Sequence, residues 1–258
     1  MLRRAAGRLH HVDHMQRITR WTEWLERDAA PDTTSLDETD RRLLRMLLGQ
    51  VLDSIGDKGL TLQDGADLLW AHPQVRGELR ELLQHLASDI PHLGHPLDQP
   101  TGVPLRVHSR YARAEILAAC GVGTGAKART WREGVYYAKE IPADLFAFTL
   151  DKTKGQFSPT TRYRDYAISR ELIHWESQST TSLSSPTGAR YVNHRRLGYT
   201  PLLFVRETTR LGSGLTAPFW FLGPLRYVSH RGDRPIQFTW KLDTPMPARV
   251  HRWARTAA

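Results

Sequence analysis

REGVYYAKEIPADLFAFTLD, residues 132–151, marks the point where the chain changes character. The segments Gly134 to Lys139 and Leu145 to Asp151 are short, aromatic and apolar, and a proline-containing turn separates them. That is the signature of strands, not of an amphipathic helix. Six further segments of the same kind follow: Leu172 to Glu176, Tyr191 to His194, Leu202 to Glu207, Phe219 to Leu222, Arg226 to His230 and Ile236 to Leu242. Gly, Pro and Ser turns divide them. Eight short strands in this spacing predict a small, strongly curved sheet or barrel.

Upstream of Trp131 the apolar residues recur at helical spacing instead. Leu9, Val12, Ile18, Trp21, Trp24 and Leu25 form one stripe, and Leu43, Leu44, Leu47, Leu48, Val51, Leu52 and Ile55 form a second. SLDE at Ser35 to Glu38 fits a capping box before the second stripe, with Gly56 as its stop. Thr61 to Asp64 is placed to cap a short helix through Trp70. Pro73 suits the first turn of a helix carrying Val75, Leu79, Leu82, Leu83 and Leu86. Residues 89–104, DIPHLGHPLDQPTGVP, hold four prolines and two glycines and read as a linker or extended crossing segment. The expected class is therefore α+β, an N-terminal helical bundle over 1–100 followed by a curved β-sheet or barrel domain over 101–258. Within the second part, Ser109 reads as the N-cap of a helix closed by Gly121. Thr153 to Tyr166 and the hydroxyl-rich Ser177 to Gly188 read as loops.

Charge divides along the same line. Residues 1–100 carry 12 Lys+Arg and 16 Asp+Glu, a net of −4, whereas residues 101–258 carry 24 and 11, a net of +13. The excess is mostly arginine, which grips phosphate and guanine edges bidentately and stacks on bases. A polyanionic partner, nucleic acid before an anionic membrane surface, is the expectation. The chain has no apolar run near the ~20 residues of a membrane helix and no apolar signal segment. The single cysteine, Cys120, excludes an internal disulfide. The expected compartment is the reducing cytoplasm, at the nucleoid.

Local chemistry gives no catalytic set. LDK at Leu150 to Lys152 and WKLD at Trp240 to Asp243 lack the carboxylate cluster of a metal-dependent nuclease. His11 and His14 have workable metal spacing, but no third ligand completes a site. The serines and threonines of Ser177 to Ser185 have no general base beside them. The expectation is no catalytic residues, no metal and no cofactor. Binding features are more numerous. Arg110, Tyr111 and Arg113 fall in the first turn of the helix begun at Ser109, where free N–H groups favour a phosphate. Arg162, Tyr163, Arg164 and Tyr166 interleave cations with aromatics, as base stacking and phosphate contact require. Arg190, Arg195, Arg196, Arg226, Arg231 and Arg234 are further phosphate-contact candidates, and Trp220, within three successive aromatics, is a stacking candidate.

From Leu105 to Pro247 a series of motifs occurs in order: SPTT, HWESQSTTS, SPTGARY, LLFVRE, FLGP, YVSH and WKL. In these the chain resembles a bacterial domain-of-unknown-function family, best known as the C-terminal domain of superfamily II helicases that also carry a phospholipase-D-like nuclease. Free-standing relatives are similar to small proteins that bind 5-methylcytosine in duplex DNA. The resemblance implies a DNA restriction or defence setting and a fold related to β-barrel readers of modified bases. No GxxxxGK[ST] phosphate loop is present, so an ATP-driven activity does not carry over. A modified-cytosine pocket needs an aromatic wall and hydroxyl or amide groups for the base edge. Trp175 is the candidate wall, with Ser177, Gln178, Thr180 and Thr181 for the edge; the competing reading makes Trp175 core and the hydroxyl run a linker. The expected function is non-enzymatic binding of methylated double-stranded DNA, with residues 1–100 available to a protein partner or for self-association. The alternatives are a modification-dependent endonuclease and an adaptor of a defence complex.

Overall fold

The computed structural model describes residues 2–52, 59–90, 92–123, 125–126, 130–150 and 165–256. It divides into two compact units, residues 1–132 and 133–258.

The first unit is helical. Its elements are α1 (Leu2–Leu9), α2 (Met15–Leu25), α3 (Glu38–Val51), α4 (Leu62–Trp70), α5 (Pro73–Ser88), a two-residue strand β1 (Arg110–Tyr111) and α6 (Arg113–Ala119). The first apolar stripe is split, because residues 10–14 leave the helix between α1 and α2. The cap of α3 is Asp37, whose side chain accepts from the Asp40 N–H; Ser35 instead turns back on Asp32. Thr61 and Asp64 do form the reciprocal capping box of α4, and Pro73 opens α5.

The proline-rich stretch is not a free linker. Val103 and Leu105 are buried, and His95 and Val107 pair backbone to backbone, so the stretch folds into the first unit. The helix expected from Ser109 begins later, at Arg113. Arg110 and Tyr111 lie before it, and Glu115 Oε2 accepts the N–H of Ala112. The first-turn phosphate site is therefore not built.

The second unit contains β2 (Val135–Ala138), β3 (Ala143–Thr149), β4 (Tyr166–Ala167), β5 (Leu172–Glu176), α7 (Pro186–Val192), β6 (Thr200–Arg206), β7 (Phe219–Arg231), β8 (Gln237–Leu242) and α8 (Ala248–Thr256). Its seven strands form one mixed sheet in the order β2-β3-β6-β7-β8-β5-β4, with β3 and β6 parallel and the other pairs antiparallel. The sheet is open: among the described residues its edge strands β2 and β4 do not meet, so the expected closure into a barrel is absent. Strand β7 is shared between the two halves of the sheet. Its first half pairs with β6 and its second half with β8, through a register shift opposite Leu203 and Phe204 at Gly223, whose φ is +95°. A glycine tolerates that backbone at little cost, and a bulge there bends the strand. The two strands expected from Phe219 to His230 are thus one strand of 13 residues.

Tyr191 to His194 is not a strand. Ser185 caps α7 by accepting the Gly188 N–H, Pro186 occupies its first turn, and Tyr191 sits on the helix's buried side. The core of this unit gathers Phe146, Ile173, Trp175, Tyr191, Phe238 and Trp240 between the sheet and its helices.

Candidate nucleic-acid interface

Strand register decides which side chains of the second unit reach solvent. Inward rows alternate with outward ones, as the period of two requires. Trp175 lies opposite Phe238, and Ile173 opposite Trp240, all of them enclosed. The outward rows cross several strands. Arg226, Lys241 and Leu172 form one row, and Ser229, Thr239, His174 and Tyr166 form the next. Arg231, Gln237 and Glu176 form the third. Tyr166 stacks on His174 with ring centroids 4.7 Å apart. The face thus offers hydroxyls, an aromatic pair and three cations on a rigid support.

Its cations differ in availability. Arg226 is paired with Asp243, which holds the guanidinium above its usual pKa, and Lys241 lies 3.7 Å from Glu171. Arg195, Arg196, Arg231 and Arg234 are exposed and form no ion pair among the described residues. The turn carrying Arg195 and Arg196 is tied to the sheet through His194. The ring donates from Nδ1 to Tyr199 O at 3.1 Å and accepts the Tyr227 N–H at Nε2 at 3.2 Å. That arrangement needs the neutral imidazole, and burial pushes the His194 pKa down accordingly. The second unit carries 18 Lys+Arg against 10 Asp+Glu, a net of +8, whereas the first carries 18 against 17.

The residues singled out from sequence are dispersed. Trp175 is only 5 % exposed; it stacks on Phe146 at 4.4 Å and meets Phe238 and Tyr191, so no face of the ring is open to a base. Ser177 is buried and joins β5 to β8: its N–H donates to Ile236 O and its Oγ accepts the Ile236 N–H. Thr181 is buried in the following turn, Thr180 is exposed, and exposed Gln178 donates to Glu133 Oε2 at 3.3 Å. These groups do not converge on a pocket beside Trp175. Arg190 is engaged rather than free. It makes two hydrogen bonds, of 2.8 and 2.7 Å, to the fully buried carboxylate of Asp144, and packs over Tyr137. Those hydrogen bonds raise its pKa above the ordinary guanidinium value. Trp220 is half-buried, edge-on to Trp253 of α8.

In the first unit Arg110 is paired with Asp13 at 2.8 Å. Tyr111 is enclosed, its hydroxyl accepting the Arg106 N–H, and Arg113 donates to the carbonyls of Trp131 and Arg132. Arg162, Tyr163 and Arg164 lie outside the described residues. Sequence reasoning missed Ser229, Gln237 and Thr239. The signal was present in QFTWKL, residues 237–242, whose strict alternation separates Phe238, Trp240 and Leu242 from Gln237, Thr239 and Lys241.

The chain matches the model of a domain of unknown function, DUF3427, over residues 105–253, more than half its length. The chain belongs to the DUF3427 family. None of the curated proteins matches it. The DUF3427 segment opens inside the first unit and continues through the whole sheet of the second. Several of its motifs turn out to be structural. SPTG supplies the cap and first turn of α7, and a Cβ on its Gly188 would lie 2.1 Å from Ser182 O. HW and WKL place Trp175 and Trp240 in the core, and FLGP holds the bulge of β7. No described helix is long and apolar enough to cross a membrane.

Proposed function

We propose that the second unit of this DUF3427 protein binds duplex DNA without chemical turnover. The observation that carries this reading is a net charge of +8 on 126 residues, with Arg195, Arg196, Arg231 and Arg234 exposed and outside any ion pair among the described residues. Arginines of this kind supply sequence-independent affinity by releasing counterions. The proposed mark is 5-methylcytosine. It rests on the resemblance to free-standing base readers and, through the helicase-linked members, on a bacterial restriction or defence setting in the cytoplasm. Enclosure of Trp175 argues against a flipped base stacked on that ring, so the methyl group is better read at the groove edge by the outward rows of β5, β7 and β8. The resemblance to barrel readers then reduces to an open sheet that offers its solvated side. Residues of the helical first unit, bundle-like in their stripes, are left for a protein partner or self-association.

The test is a gel-shift titration of methylated and unmethylated duplexes of equal sequence over a range of salt. Four phosphate contacts predict a slope of about −3.6 for log K against log salt. Replacing Arg231 and Arg234 by Gln should make it shallower by about two units. A salt-independent affinity would overturn the DNA reading, and equal affinity for both duplexes would overturn the methyl selectivity.

A further inference from the structure

The first unit holds a cavity of about 600 Å³ that the DNA reading does not use. It lies at the start of α2, lined by His14, Met15 and Gln16 and by Ile90, His92, Leu93, Gly94, Arg106 and Ser109. Its size suits a small organic ligand.

Three observations describe its chemistry. The N-cap of α2 is His14, which makes no side-chain cap. The first N–H groups of this 11-residue helix therefore have neither an intrahelical acceptor nor a capping oxygen, and they carry the positive end of the helix dipole. Ser109 is 1 % exposed, yet its Oγ has no hydrogen-bond partner in the protein. A buried hydroxyl left unsatisfied is costly unless something occasional satisfies it. Arg106 also lines the cavity, held in place by donation from Nε to Gly94 O at 2.8 Å. The mouth is apolar: Leu93 is 89 % exposed and Met15 50 %.

Other ionisable groups at the cavity do not oppose an anion. Asp13 is bound by Arg110 at 2.8 Å and lies 3.4 Å from His92. His14 stays neutral, because burial and the nearby Arg17 push its pKa down to about 3.

We propose that this cavity binds a small organic anion, with its phosphate or carboxylate held by the α2 N-terminus, Arg106 and Ser109 and its apolar body against Met15, Ile90 and Leu93. The charge complementarity and the apolar mouth together specify an amphiphilic ligand, not a bare ion. Recognition of this kind is independent of the arginine-rich unit.

The test uses the full chain and three probes: phenyl phosphate, benzoate and the neutral benzyl alcohol. Binding is followed by amide chemical shifts of Met15 and Gln16, which separate this site from the basic second unit. At least one anionic probe should shift these amides, and benzyl alcohol should bind about tenfold more weakly or not at all. Tighter binding of phenyl phosphate assigns phosphate, and the reverse assigns carboxylate. Ser109→Ala removes only an unpartnered hydroxyl, so it should leave the melting temperature unchanged and weaken the anion about 5- to 10-fold. Arg106→Gln should weaken it at least as much, with folding checked by circular dichroism. The proposal fails if neither anion shifts these amides at millimolar concentration, if benzyl alcohol binds equally well, or if Ser109→Ala binds like the parent chain.

Discussion

Glu115 is fully enclosed. Burial pushes its carboxyl pKa up, but the Arg17 guanidinium 2.8 Å away and His11 at 2.6 Å bring it below the usual carboxylate range. A buried charge of this kind persists only where such partners are fixed around it. The same logic reassigns Trp175 and Arg190, whose partners are Phe146 and Asp144 rather than nucleic acid. Trp175→Ala should therefore cost about 3–5 kcal/mol in urea unfolding. The milder Trp175→Phe should keep DNA affinity unchanged; a large loss of affinity in a fully folded Trp175→Phe would restore the pocket role.

Burial lowers the pKa of several histidines, with His14 and His194 the most enclosed of them, and this sets an acid sensitivity. His14 and His194 have pKa values depressed by burial, so below about 6.5 the unfolded chain binds protons that the folded chain does not. Their contribution is complete above that pH and is lost as pH falls toward the folded values, by up to about 1.4 kcal/mol per pH unit for each ring. Urea midpoints measured between about pH 7 and pH 5 should fall, and His14→Gln should flatten part of that slope.

At the scale of elements, α7 and β7 carry the instructive errors. Tyr191 to His194 reads as a strand when taken alone. The deciding signals sit upstream, in the Ser185 cap and in Gly188, which lets the helix start lie against the Ser182 carbonyl. Ser185→Ala should lower stability by about 1 kcal/mol. Gly188→Ala should cost more, because its added Cβ meets backbone, which cannot swing aside as a side chain can. Thermal melts of the two variants rank the effects, and an unchanged Gly188→Ala would show that the close approach is not needed. In β7, Gly223 and Pro224 read as a turn between two strands. Tertiary pairing carries the strand through them as a bulge, because β6 and β8 each take one half.

At the scale of the molecule, the division at residue 132 changes what the DUF3427 segment needs. Its opening residues are anchored within the first unit: Tyr111 packs under Arg17 at 4.5 Å, Glu115 binds Arg17 and His11, and Arg110 binds Asp13. A chain starting at residue 101 loses these partners. Amides of residues 105–119 should then lose hydrogen-exchange protection relative to the whole chain; equal protection would show that the segment folds without residues 1–100.

Local pattern and composition were enough for the α+β class, most helices of the first unit, most but not all of the strand segments after Trp131, and the cationic excess. Those rest on local periodicity and on composition, which need no partner to be legible. The tertiary structure alone decided which side of each strand is solvated, that the sheet stays open, and that Trp175, Arg190 and Arg110 are held by residues up to 97 positions away. An arginine and its distant carboxylate, or a tryptophan and the ring it stacks on, are not neighbours in the chain. Their neutralisation and burial therefore exist only once the fold brings them together.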